Sequence, residues 1–313
     1  MSGDFMVLKL GTRKSALAMA QSGWVRDRVE QCHPGLKVEL VPISTVGDRV
    51  LDKPLSEVGG KGLFVKEIEE ALIAGEIDLA VHSMKDMPAE LPEGLGLHVF
   101  PERESPLDVI VSAWGGLDDL PAGSRVGTGS LRRSAQLRSL RPDLHVLPVR
   151  GNVDTRLRKL DEGRFDAVIL AEAGLRRLGF SDRVSGVLEP GRFLPAVGQG
   201  ALGLETRSED SRTRNILSFL HDETTMIAVL AERAFLRELN GGCQVPMGGF
   251  AVVEGGEVFF TGMVGEIDGS RIIRRSLKGS CDEAELVGKS LAADLLAAGA
   301  GDILERAYRE GFA

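Results

Sequence analysis

Three cysteines in 313 residues, Cys32, Cys243 and Cys281, are too few and too scattered for a disulfide framework. Their odd number and the lack of any CxxC pair also argue against zinc, and the five histidines fall in no ligand spacing, so no metal is expected. Aromatic residues make up 5% of the chain and the formal net charge is −8. That composition weighs against a nucleic-acid surface, which needs basic stripes and often stacking platforms. No run of about 18 apolar residues is present to span a membrane. The opening stretch, Met1 to Leu10, has no basic region followed by a long apolar one, and a cytoplasmic protein is expected. What the chain does have is 43% hydrophobic residues, enough for two or three domains with real cores.

Charge is distributed unevenly. Between Arg125 and Arg177 lie eleven arginines and Lys159 against six acidic residues, a basic segment inside an acidic protein. Guanidinium forks bind carboxylate and phosphate through paired hydrogen bonds and stay charged at any working pH. A pocket lining for a carboxylate- or phosphate-rich ligand is therefore expected.

Patterns that occur twice give the organisation. Val7 to Leu10 reads as a strand, and Gly11-Thr12-Arg13-Lys14-Ser15 opens a helix from Ala16 to about Gln31. Arg125-Val126 lead likewise into Gly127-Thr128-Gly129-Ser130-Leu131-Arg132-Arg133 and a helix stopped by Pro142. A second echo is Leu72-x-x-Gly75-x-x-Asp78 against Leu160-x-x-Gly163-x-x-Asp166, each followed by an apolar strand. Two similar α/β domains follow, with a hinge near residues 100–108 and a return along Phe193 to Leu204. After about His221 a long helix through Met226 and Leu236 precedes segments around 251–253, 258–264 and 271–277. Glu254-Gly255-Gly256 and Asp268-Gly269 connect them as hairpins, and a closing helix spans about Glu283 to Leu296. The fold expected is α/β: two similar hinged α/β domains with mixed sheets, of periplasmic-binding-protein-like design, plus a smaller C-terminal α+β domain with a three-stranded antiparallel sheet. Domain 1 is set at 1–102 with 198–220, domain 2 at 103–197 and domain 3 at 221–313.

Both strand-to-helix turns place hydroxyls and arginines at a helix N-terminus, where free N–H groups and the dipole favour anions. Thr12, Ser15, Thr128 and Ser130 are otherwise ordinary caps. Arg150 and Arg156 follow one apolar strand and Arg176-Arg177 another, and strand ends of open α/β sheets are where ligands sit. Arg138, Arg141, Arg158 and Arg164 are read as solvated surface. Neither turn matches a phosphate loop or a GxGxxG fingerprint, so nucleotides are not favoured. His82-Ser83-Met84-Lys85-Asp86 follows the strand Leu79 to Val81, and an ionised Asp86 among basic groups could steady a cation. A Gly59-Gly60 pair before Lys61-Gly62-Leu63-Phe64 suits a mobile flap. Cys243, in Gly241-Gly242-Cys243, is either a small buried apolar residue or a sulfur that a tight glycine loop lets project.

Six motifs in order carry a resemblance: Gly59-Gly60-Lys61-Gly62-Leu63-Phe64, His82-Ser83-Met84-Lys85-Asp86, Gly127-Thr128-Gly129-Ser130-Leu131-Arg132-Arg133, Arg150-Gly151-Asn152-Val153, Pro195-Ala196-Val197-Gly198-Gln199-Gly200 and Gly241-Gly242-Cys243. From Leu10 to about Pro246 the chain resembles the porphobilinogen deaminase (hydroxymethylbilane synthase) family. The resemblance implies a transferase that joins four porphobilinogen units, with loss of ammonia, into a linear tetrapyrrole. It implies a covalent dipyrromethane cofactor held through a thioether at Cys243, and Asp86 as catalytic group. It also implies that Ser83, Lys85, Thr128, Ser130, Arg132, Arg133, Arg156 and Gly174 hold the cofactor. Arg13, Ser15, Gln21, Arg150, Arg177 and Gln199 are implied to bind substrate, and Lys61 and Phe64 to belong to the flap. Two departures stand out: Gly129 where a serine is expected, and Glu172 where a small or apolar residue is expected. A small-molecule substrate, a monomer, and neither nucleic acid nor membrane are expected. The rival reading is a non-catalytic two-domain carboxylate-binding protein.

Overall fold

The computed structural model describes residues 6–49, 62, 64–240 and 245–311; the Gly59-Gly60 pair and Lys61 of the expected flap, and Cys243, lie outside the described residues. The first of three sheets comprises β1 (Met6–Arg13), β2 (Leu36–Ile43), β3 (Leu79–Ser83), β4 (Leu95–Val99) and β10 (Leu202–Arg207), in the order β2-β1-β3-β10-β4. β1 runs parallel to β2 and β3, and β10 runs antiparallel to β3 and β4. The second comprises β5 (Asp108–Ser112), β6 (Arg125–Gly127), β7 (His145–Leu147), β8 (Ala167–Ala171) and β9 (Gly186–Leu188), in the order β7-β6-β8-β5-β9. Here β6 runs parallel to β7 and β8, and β5 antiparallel to β8 and β9. The two orders correspond strand for strand. In each sheet the antiparallel strand is the first one made after the chain crosses over, so the Phe193 to Leu204 stretch does carry the chain back.

The repeated Leu-x-x-Gly-x-x-Asp pattern has one physical cause in both places. α3 (Lys66–Ile73) and α5 (Val153–Asp161) are each followed by a glycine at positive φ, Gly75 at 72° and Gly163 at 70°, a conformation that costs other residues strain. The aspartate three residues on then accepts from a backbone N–H of the neighbouring parallel strand. Lys9 N donates to the Asp78 carboxylate at 2.8 Å and Arg125 N to that of Asp166 at 2.7 Å.

Among the described residues, the remaining α-helices beside these sheets are α1 (Ala16–Cys32), α2 (Val46–Arg49), α4 (Leu131–Leu140), α6 (Glu172–Arg177) and α7 (Ser211–Leu217). The third sheet, β11 (Met247–Glu254), β12 (Glu257–Gly265) and β13 (Ile272–Ser280), is antiparallel and is covered by α8 (Glu223–Glu238) and α9 (Ala284–Leu295). Phe235 meets Phe260 edge to face at 5.1 Å in this core. Gly288 lets α9 lie against α8, since a Cβ there would stand 2.1 Å from the Ala231 carbonyl oxygen. A further helix, α10 (Gly301–Gly311), was not expected from sequence; Gly299, at φ 95°, turns the chain into it, and Ile303 and Leu304 enter the third core.

Both crossings between the first two sheets meet at one buried carboxylate. Glu232, on α8, accepts from Arg103 Nη1 and Nη2 at 2.7 and 3.2 Å, from Gly198 N at 2.5 Å and from Ala251 N at 2.9 Å. Arg103 Nε also donates to the Gln199 carbonyl at 2.9 Å, and its guanidinium lies 5.3 Å from the Phe250 ring centre.

Candidate active site

Asp86 closes a short 3-10 turn, Met84–Asp86, at the end of β3. The apolar strand buries Leu79 to His82, and Met84 goes into the core beneath the turn, which leaves Lys85 and Asp86 half-buried at the strand's carboxyl end. Ser83 accepts from Gln21 Nε2 at 2.9 Å, a bond from α1 that fixes the rim of the site. Ser15 caps α1 by accepting from Ala18 N at 3.3 Å. Thr12 is buried and donates to backbone carbonyls, so its role is local. The Arg13 guanidinium lies 4.2 Å from the Phe64 ring centre, which brings the described part of the expected flap onto the first anion turn.

In the second sheet Ser130 caps α4 by accepting from Arg133 N at 3.4 Å, and Thr128 Oγ1 accepts from Ser130 N at 3.2 Å. Gly129 sits where a Cβ would come within 2.9 Å of the Val149 carbonyl oxygen, so close backbone approach accounts for glycine in place of serine. Arg132 and Arg133 are buried around Asp108, the first residue of β5. Asp108 accepts from Arg132 Nη1 at 2.6 Å, from Arg133 Nε and Nη2 at 3.0 and 2.7 Å, and from Gln199 Nε2 at 2.9 Å. Burial alone would raise the Asp108 carboxyl, but the two guanidiniums overcome it and hold the group well below the usual carboxylate range. Arg132 also donates to the Leu194 carbonyl and Arg133 to that of Ile169, which uses only part of each guanidinium's five N–H donors.

Lys85, Arg133, Arg150 and Arg156 form one electrostatic neighbourhood with Asp86. Burial pushes Lys85 below its ordinary value; Asp86 opposes the shift, Arg133 adds to it, Asp108 opposes it and Arg156 adds to it. Arg156, whose Nε donates to the Gly151 carbonyl at 2.8 Å, is pushed down to about 10 by burial, then by Arg133 and Arg150, with Asp86 pulling the other way. Including Arg132, five cations surround two carboxylates, one of which is already bonded by Arg132 and Arg133. Arg177 donates to the Gly200 carbonyl at 2.8 Å and is lowered by burial. Glu172 leaves it alone: Glu172 accepts from Arg176 at 3.0 and 2.6 Å and from the Ser105 hydroxyl. Arg176, which also reaches Glu104 at 3.0 Å, is therefore tied up at the surface away from the cluster. Gly174 is buried in α6, where a Cβ would stand 3.8 Å from Leu17 of α1, so the two bodies pack together at that point.

Two arginines read as solvated prove to be structural. Arg138 Nη1 donates to the Ile267 carbonyl at 2.7 Å, tying α4 to the third sheet's hairpin, and Arg141 reaches the Leu117 and Leu120 carbonyls at 2.7 and 2.9 Å. Sequence reasoning also passed over Asp108 and Glu232. Each left a trace: an aspartate opening the apolar run Val109-Ile110-Val111, and a glutamate directly after the apolar run Met226 to Ala231.

The family model described as "Porphobilinogen deaminase, dipyromethane cofactor binding domain" matches residues 8–215, and the "Porphobilinogen deaminase, C-terminal domain" matches residues 226–297. The chain belongs to the porphobilinogen deaminase family. A porphobilinogen deaminase of Syntrophobacter fumaroxidans is 55% identical over 97% of this chain and 98% of its own length. One of Geobacter metallireducens is 51% identical over 96% and 95%. Among solved structures, a TRAP periplasmic solute binding protein from Desulfovibrio salexigens aligns with a TM-score of 0.40 at 14% identity, over 69% of this chain and 72% of its own. At that distance it adds nothing to the reading of the site. Family membership favours the catalytic reading over a non-catalytic carboxylate binder: the chain is a tetrapyrrole-building transferase that joins porphobilinogen units on a dipyrromethane cofactor.

Proposed function

We propose that Asp86 is the catalytic carboxylate and that the cations around it hold the acetate and propionate groups of the growing pyrrole chain. The observation that supports this reading is the charge balance: five cations surround two carboxylates, and Lys85 and Arg156 are pushed down by burial first, with neighbouring arginines adding to the shift and Asp86 opposing it. A ligand with several carboxylates offsets that excess, and bidentate guanidiniums suit it geometrically. When bound, dipyrromethane supplies the nucleophilic α-carbon from which the polymer grows. Lys85, Arg132, Arg133 and Arg156, with Ser83, Thr128, Ser130 and the close backbone at Gly174, would hold it; Arg13, Ser15, Gln21, Arg150, Arg177 and Gln199 would receive porphobilinogen. Gln199 Oε1 is buried with no hydrogen-bond partner among the described residues, an acceptor ready for a pyrrole N–H or a water bridging to one. Loss of ammonia leaves a cationic methylene-pyrrolenine on the substrate, and the Asp86 side chain stabilises that charge and the one formed on carbon–carbon bonding.

Cys243 is the proposed thioether anchor, with Lys61 and Phe64 in the flap. The anchor's flanks support it. Tyr308 donates to the Asn240 carbonyl on one side. On the other, a Cβ at Gly248 would lie 3.1 Å from Arg132 Cδ, so β11 starts against the anion cluster. The proposed domain limits are 1–102 with 198–220, 103–197 and 221–313, and the place of β10 in the first sheet supports the return of the chain after residue 197. No helix of the described residues is long and apolar enough to cross a membrane. A monomer working in the cytoplasm on a small-molecule substrate, without nucleic acid, completes the reading. Intact mass of the purified protein tests the anchor. A pyrrole adduct that Cys243→Ser removes is expected; a bare chain that gains nothing from porphobilinogen overturns it.

A further inference from the structure

Three ionisable side chains are enclosed behind the Asp86 turn without a part in the chemistry above: Glu69 on α3, Glu205 on β10 and His82 on β3. β10 pairs with β3 so that Glu205 lies opposite Ala80 and Gly203 opposite His82. Residues two apart share a face, so Glu205 and His82 point the same way. His82 Nε2 lies 2.9 Å from Glu205 Oε2. α3 packs on this sheet, with Ile68 and Leu72 in one core with Ala80, and brings Glu69 in from above.

The hydrogen-bond accounting fails if both acids are ionised. Glu69 Oε1 and Glu205 Oε1 are both buried, and neither has a partner among the described residues. Burial raises Glu69 to about 7, the Glu205 charge adds to the rise, His82 opposes it and Glu70 adds again. Two other charged groups, His98 and Arg233, sense Glu205. His98 Nδ1 lies 2.9 Å from Thr206 Oγ1 and is lowered by burial and then by Arg214. Arg233, from α8, donates through Nη2 to the Pro88 and Ala89 carbonyls at 2.9 and 3.0 Å, and its Nη1 is buried with no partner among the described residues. Buried polar atoms are paired in folded proteins, and two carboxyls close together commonly share one proton.

We propose that Glu69 keeps its proton and donates it to Glu205, so that Glu205 is a fixed acceptor for His82 and the chain Glu69–Glu205–His82 positions the end of β3 that carries Ser83, Lys85 and Asp86. One proton pairs both orphan oxygens. When it leaves, two buried carboxylates face each other and the support behind Asp86 loosens, so turnover falls as pH rises through the Glu69 titration. Glu69, Glu205 and His82 are positioning residues. The inference rests on the assignment of Asp86 as the catalytic group, but the shared proton can be read without any turnover.

The test uses the full chain carrying its cofactor. Carbon-13 NMR of glutamate carboxyls should show one buried carboxyl that is protonated at pH 6, ionises near pH 7 and vanishes in Glu69→Gln. Glu69→Gln, whose amide still donates to Glu205, should keep wild-type kcat at pH 6 and lose the fall in kcat above about pH 7. Glu69→Leu removes the donor and should lower kcat by roughly 10- to 100-fold with KM for porphobilinogen unchanged, the scale of a misplaced catalytic group. Both carboxyls ionised at pH 6, or a pH profile of Glu69→Gln identical to wild type, would overturn the proposal. If Asp86 were not catalytic, the NMR signature would persist while the kinetic effects disappeared, which separates the two failures.

Discussion

Replacing Asp108 by asparagine should destabilise the protein more than any surface substitution. The carboxylate is fully buried and accepts four hydrogen bonds of 2.6–3.0 Å from Arg132, Arg133 and Gln199. Asparagine keeps the volume but leaves two buried guanidiniums without their counter-charge. Removing one partner of a buried ion pair costs about 3–5 kcal/mol. For a chain of this size that corresponds to a fall in Tm of roughly 6–20 °C. The exposed Arg158–Glu162 pair, at 3.7 Å, is the control: Arg158→Gln should change stability by less than about 1 kcal/mol. The sign of the pH dependence is fixed as well. A depressed carboxyl gives stability that is present above its unfolded value and lost as pH falls through the folded one. The gap between wild type and Asp108→Asn should therefore stay constant from neutral pH down to mild acid and close only in strong acid. Thermal unfolding followed by circular dichroism across pH reads both. An Asp108→Asn shift no larger than that of Arg158→Gln would refute the view that Asp108 holds the arginine cluster together.

Asp86→Asn should fold with an unchanged Tm and lose about 10²- to 10³-fold in turnover, the scale of one electrostatic stabiliser, measured as bilane formed per cofactor-loaded molecule. Near-normal rates would remove it from the mechanism. Glu232→Ala strands Arg103 and two backbone donors and should cost about 3–5 kcal/mol in urea unfolding, with Glu232→Gln recovering part of the loss. Gly129→Ser should lower stability by about 1–3 kcal/mol through the clash with Val149, even though the added hydroxyl is one the substrate could use. An unchanged Tm would show that the turn has room. Glu172→Gln should leave the KM for porphobilinogen unchanged within about twofold, because its partner is Arg176 and not Arg177; a marked change would place Glu172 in the site.

Much of the fold was legible because its signals are local. Glycine after a helix, aspartate before a strand and serine before α1 and α4 each act within a few residues, and their repetition exposed the paired sheets. The parallel pairings and the return of β10 follow from that repeat. The structural work of Arg138 and Arg141 was not legible, since a guanidinium that binds a distant carbonyl looks the same in sequence as one in water. Asp108 and Glu232 were missed for a related reason: their partners are 19 to 129 residues away. α10 was missed because an alanine- and glycine-rich stretch reads as an ending, while Gly299 makes it a bend.

The meeting of both crossings at Glu232 has a mechanical meaning. Two strands fastened to one point cannot slide past each other, so the soft motion left to the bodies they join is rotation about that point. Gly198 is bonded to it, and the next residue, Gln199, reaches across to Asp108 beneath the arginines. The anion cluster thus sits close to the axis, where displacement is small, while the outer lips of the cleft swing through the largest arc. If the cluster receives the growing chain as proposed, such a bearing leaves room at the rim for successive rings while the cluster itself moves little.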